Sequence, residues 1–131
     1  MQFEKSLLVV TTDTNQKMLN QAVQLSKNFG SKLFVLFVIE SNRISRLASL
    51  THQKTDTLQR KIEEQGWELL YSVEDEAVEN GVWTSLHVED GNAMKVIKKY
   101  VETYNIDIIM VKKNEETKKI FVSSPVPVVG L

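Results

Sequence analysis

The sequence predicts an α/β fold: a single three-layer α/β/α domain over residues 1–131, built on a five-stranded parallel sheet of order 3-2-1-4-5. Short apolar runs alternate with stretches whose apolar residues recur every three or four positions, which is the pattern of strands interleaved with surface helices. Most of the runs are continuously apolar, as in strands covered on both faces. The segments between them can hold crossover helices, and such crossovers are right-handed and set the strands parallel.

Residues 6–12 form the first run, and Asp13-Thr14-Asn15 behind it reads as a helix N-cap. Met18, Ala22, Leu25 and Phe29 then mark one helical face, and Gly30 stops the helix. Residues 33–39 are continuously apolar and make the second strand. Residues 41–57 are polar with weak periodicity in Ile44, Leu47 and Leu50, so loop and loosely held helix both stand open. Leu58, Ile62, Leu69, Val73 and Ala77 mark a helix reaching about Glu79, with Gly66 a local weakness and Asn80-Gly81 the terminator. Residues 82–88 alternate apolar and polar, which fits an edge strand. A turn at residues 89–92 precedes a helix marked by Met94, Ile97, Val101 and Tyr104. Residues 106–111 are the fourth strand, residues 112–119 a charged loop, and residues 126–129 a last short strand after Ser123-Ser124-Pro125.

At 131 residues, 42% of them hydrophobic, the chain can bury one core without staples. It has no cysteine, so disulfides and thiolate metal sites are excluded. Sixteen basic and 17 acidic residues give a net charge of −1, which offers no overall attraction to nucleic acid or to an anionic membrane. The first apolar run carries an acid at Glu4 and ends at Val10, too short for a signal peptide, and no run approaches the roughly 20 residues that span a bilayer. The expectation is a soluble cytoplasmic protein.

In parallel sheets of this order ligands collect at the carboxyl ends of the strands where strand order reverses, here between strands one and four. That directs attention to residues 11–14 and 112–116, with Gly91 and Asn92 nearby. Asp13 reads as a helix cap or as a metal ligand beside a nucleotide, and Gly91-Asn92 as a turn or as an anion contact at a helix start. Lys112, Lys113, Lys118 and Lys119 read as a solvated loop, because Glu115 and Glu116 lie among them, or as an anion clamp. His52 and His87 have no metal-ligand spacing, and neither a Gly-x-Ser-x-Gly elbow nor a phosphate-binding Gly-x4-Gly-Lys-Ser/Thr loop is present. Trp67 and Trp83 read as packing residues rather than as a stacking platform.

Several stretches together carry a family resemblance. They are Leu7-Leu8-Val9-Val10, Gln21-Ala22-Val23-Gln24-Leu25-Ser26 closing at Gly30, residues 33–39, Val88-Glu89-Asp90-Gly91, Asn105-Ile106-Asp107-Ile108-Ile109-Met110-Val111 and Pro125-Val126-Pro127-Val128-Val129. In order and spacing they resemble the universal stress proteins, which implies an adenine nucleotide alpha-hydrolase-like fold. ATP-binding relatives place an Asp where this chain has Thr11, with Asp13 an imperfect substitute. They follow strand four with Gly-x2-Gly-x9-Gly-Ser/Thr, whose glycines let backbone N–H groups approach phosphate oxygens. Residues 112–123 are too few for that motif and include no glycine, and Lys112 stands at its first position.

The resulting expectation is a non-catalytic stress-response or regulatory protein that acts through protein contacts and holds no cofactor in the family's way. The resemblance implies a homodimer paired along the last strand, through Val126, Val128 and Val129. The alternative is an ATP- or AMP-binding protein with a rebuilt pocket of Thr11, Thr12, Asp13, Val38, Gly91, Asn92 and Lys112. An enzyme that hydrolyses or transfers nucleotides is a third reading, disfavoured because phosphate-holding glycines and a general base are both missing.

Overall fold

The computed structural model describes residues 3–131; Met1, Gln2 and the Glu116 side chain lie outside the described part. Five strands alternate with helices: β1 (Lys5–Val10), α1 (Gln16–Phe29), β2 (Lys32–Ile39), α2 (Ser41–Leu50), α3 (Thr55–Glu79), β3 (Thr84–Asp90), α4 (Ala93–Tyr104), β4 (Ile108–Val111), a 3-10 turn (Glu115–Thr117), α5 (Lys118–Ser123) and β5 (Val128–Gly130). All strand pairs are parallel, and the sheet order is β3-β2-β1-β4-β5.

The pleat sorts the apolar runs into two cores. Leu8, Val10, Val35, Phe37, Ile39 and Met110 face α1, α2 and α3, while Leu7, Phe34, Leu36, Ile109 and Val111 face α4 and α5. A buried hydroxyl cluster ties the lower end of β1 to its neighbours, with Ser6 Oγ 3.0 Å from both Ser26 Oγ and Ser31 Oγ. These serines satisfy one another, so burying them carries no unpaired-donor cost.

Local chemistry sets the boundaries. Asn15 caps α1, its Oδ1 accepting from Met18 N at 3.0 Å, and Gly30 closes the helix in the left-handed region at φ 66°. The Asp-Thr-Asn signal therefore acts through its third residue, and Asp13 is not the cap. The open segment resolves into α2, a turn, and a start of α3 at Thr55. Its buried stripe is Ile44 and Ala48, four apart, whereas Leu47 and Leu50 are exposed. Gly66 is a close-packing site rather than a weakness, because a Cβ there would run into the Phe37 ring.

β3 is the expected edge strand, displaced two residues from the alternating stretch. Trp83, just before it, is 82% exposed, so only Trp67 packs as expected, half-buried and stacked on Tyr71 with centroids 5.6 Å apart. Ile106 and Asp107 precede β4, and the Asp107 carboxylate accepts from Lys5 N at 2.9 Å at the amino end of the sheet. β5 begins at Val128 because Pro125 and Pro127 lack an N–H, although Pro127 still accepts from Ile109 N at 2.9 Å. The expected charged loop is ordered as the 3-10 turn and the six-residue α5.

Candidate functional site

The carboxyl ends of β1 and β4 meet at the switch point, and the turn after β1 is closed on itself. Thr14 N donates to Thr11 O at 3.0 Å, Thr11 N donates to Thr14 Oγ1 at 2.8 Å, and Asp13 N donates to Thr11 Oγ1 at 3.3 Å. Threonine side chains thus accept two of the amide protons that a bound anion would use. Thr12 and Asp13 are exposed, and Thr11 is half-buried.

Across the switch point the chain after β4 is closed in a similar way. Asn114 and Thr117 form a reciprocal capping box, Asn114 N donating to Thr117 Oγ1 at 3.1 Å and Thr117 N to Asn114 Oδ1 at 3.0 Å. The Thr117 hydroxyl donates to Lys112 O at 2.7 Å. Lys118 pairs with Glu115 at 2.9 Å on the surface, and the Lys113 Cβ lies against Gly130. Lys112 is half-buried. The four lysines are therefore spread over a cap, a strand flank and a helix.

The third part of the site lies where β2 and β3 end. Val38 is half-buried and packs against the α4-side core. Gly91 takes φ 140° and donates its N–H to Ile39 O at 3.0 Å, a backbone state glycine accepts readily. Asn92 caps α4 through Lys95 N at 3.2 Å. Beside it the Glu40 carboxylate accepts from Ala93 N at 3.3 Å and from Arg43 at 3.1 Å. The amino end of α4 is thus already served by a carboxylate, which suits the positive end of a helix and repels an added phosphate. Sequence reasoning missed Glu40; the available signal was an acid at a strand end with Arg43 three residues on.

A separate cluster lies on the α4 side of β3. Ser85 Oγ is 2.7 Å from His87 Nε2, the His87 ring meets Tyr100 edge-on at 5.0 Å, and Tyr100 donates to Glu89 Oε1 at 2.8 Å. Burial lowers the His87 pKa below its usual 6.5; Lys32 adds to that shift and Glu89 opposes it. Burial and the bond to Glu89 push Tyr100 well above the usual tyrosine range. Glu89 is bonded to Tyr100 rather than to the imidazole, so among the described residues it does not serve Ser85 and His87 as the orienting group that an activated nucleophile needs.

Two cavities are formed elsewhere. A groove of about 230 Å³ runs between α4 and α5, and a second cavity of about 390 Å³ lies between α1 and the C-terminal residues, bordered by Gln21, Leu25 and Val129. Neither includes Thr11, Asp13, Gly91 or Lys112. Among the described residues there is no cluster of three or more metal-ligating side chains, and no helix is long and apolar enough to cross a membrane. A triphosphate held by glycine-loop amides does not fit the residues at the switch point.

Residues 3–126 match the universal stress protein family. Among solved structures, a universal stress family protein from Burkholderia pseudomallei superposes with a TM-score of 0.79 at 12% identity, over 98% of this chain and 96% of that one. The universal stress protein from Archaeoglobus fulgidus in complex with dAMP gives 0.73 at 12% identity, over 99% and 98%. An Arabidopsis thaliana family protein with AMP bound gives 0.63 at 16% identity, over 98% and 90%. The sequence matches no curated protein.

Proposed function

Since this chain belongs to the universal stress protein family, we propose that it is a non-catalytic, cytoplasmic regulator of a stress response that works through dimerisation and protein contacts, with no nucleotide held at the switch point. The observation that carries this reading is the self-closure of the site. Thr11 with Thr14, Asn114 with Thr117, and Glu40 with Ala93 each use the chain's own groups where a phosphate would need free donors. Calorimetric titration with ATP, ADP and AMP, with and without magnesium, is expected to give no heat of binding, and mass spectrometry of the denatured protein no released nucleotide.

The same reading expects a homodimer through β5. That strand pairs with β4 on one side only, and Val126, Val128 and Val129 are half-buried along the sheet's edge. Pairing it with its copy about a two-fold axis would cover an apolar edge that is otherwise prone to aggregation. Light scattering should find a dimer that Val128→Lys converts to monomer; a dimer unaffected by the substitution would reject this interface.

A second reading, an adenine nucleotide binder with a rebuilt pocket, is supported by the dAMP and AMP complexes of the relatives. Thr11, Asp13, Val38, Gly91, Asn92 and Lys112 would be its contacts. Micromolar binding of AMP or ATP in the titration would establish it and displace the first reading.

A further inference from the structure

We propose that the groove between α4 and α5 binds a small amphipathic anion, an aliphatic chain ending in a carboxylate. Met94, Ile97 and Val101 of α4, Ile109 of β4 and Ile120 of α5 line it, and no acidic residue does. The three α4 residues are spaced three and four apart, so they form one continuous wall. The groove exists because α5 is only six residues long and covers little of α4 and β4.

Its polar rim is one-sided. Lys95 and Lys98, three apart on α4, are exposed and have no ion pair among the described residues. On the other side the Ser123 hydroxyl donates to Lys119 O at 2.7 Å and the Ser124 hydroxyl to Val126 O at 2.7 Å. The two ammonium groups are therefore the uncommitted side-chain donors at the rim. A cavity of about 230 Å³ is on the scale of a short aliphatic chain, and the two lysines at its rim complement a carboxylate head group. Burial of the tail supplies the attraction, and the lysines select the sign of the head group.

The test is an amide-resolved NMR titration of the full chain with sodium decanoate below its micelle concentration, with decanol and decyltrimethylammonium as comparison probes. The expected result is saturable one-to-one binding with shifts confined to residues 94–101 and 118–124, strongest for decanoate and weakest for the cationic amphiphile. Lys95→Glu with Lys98→Glu should weaken decanoate on the order of tenfold while leaving the circular dichroism spectrum and Tm unchanged. Non-saturable shifts, shifts spread over other surfaces, or equal binding by the charge-reversed variant would overturn the proposal. So would shifts of the same resonances on dilution without ligand, which would put a second copy of the chain in the groove.

Discussion

The two faces of the sheet are covered very differently. On one face α1, α2 and the 25-residue α3 close over Val10, Val35, Phe37 and Ile39, and Gly66 lets α3 approach so closely that the Phe37 ring fills the place of a side chain. The opposite face has only α4 and the six-residue α5, and a groove remains between them. Charge is divided between individual helices. Asp56, Glu63, Glu64, Glu68, Glu74, Asp75, Glu76 and Glu79 lie on α3 against Arg60 and Lys61, whereas α1 and α2 on the same face carry Lys17, Lys27, Arg43 and Arg46 and no acid. Lys95, Lys98, Lys99, Lys118 and Lys119 stand on α4 and α5 against Glu102 alone. A net charge of −1 thus conceals an acidic α3 over one face and a basic pair of helices, α4 and α5, over the other. The short crossover between β4 and β5 leaves apolar surface of α4 and β4 open to the groove.

The contrast can be broken most directly by matched truncations. Leu70→Ala on α3, at a fully buried position, should cost about 3–4 kcal/mol, since neighbours packed on all sides cannot collapse into the hole. Ile120→Ala on α5 removes a similar volume beside the groove, where solvent can enter, and should cost about 2 kcal/mol, the low end for such a truncation. Urea unfolding compares the two, and equal losses would mean that Ile120 is packed as tightly as Leu70.

A smaller effect probes the β3 edge of the open face. The folded state depresses the His87 pKa, so it favours the neutral imidazole. The resulting stability is present above the unfolded pKa and is lost as pH falls through about 6.5 toward the folded value. Urea midpoints should therefore fall between pH about 7.5 and about 5.5, and less steeply in His87→Gln. Parallel curves for the two proteins would show that His87 does not carry this dependence.

Much of the fold was legible in the sequence because it rests on local signals. Continuous apolar runs marked β1 and β2, helical spacing marked α1 and α4, and Gly30 marked an end. Boundaries slipped where a signal had two readings. The stripe of α2 runs through Ile44 and Ala48, and the small alanine hid it, while Trp83 suggested burial that an edge position does not provide. At the site, the missing glycines of residues 112–123 could be read directly. Glu40 offered only an acid at a strand end near Arg43, because its role depends on β2 ending beside the start of α4.

The sequence by itself determined the order of the elements, the parallel sheet and the lack of a glycine loop, all of which follow from periodicity, chain length and residue type. Only the tertiary structure decided that the Thr11 turn, the Asn114 cap and Glu40 satisfy the donors at the switch point, and that a lysine-rimmed groove opens between α4 and α5. The physical reason is that hydrogen bonds between residues as distant as Glu40 and Ala93, and the space left by a short helix, are properties of how the faces meet.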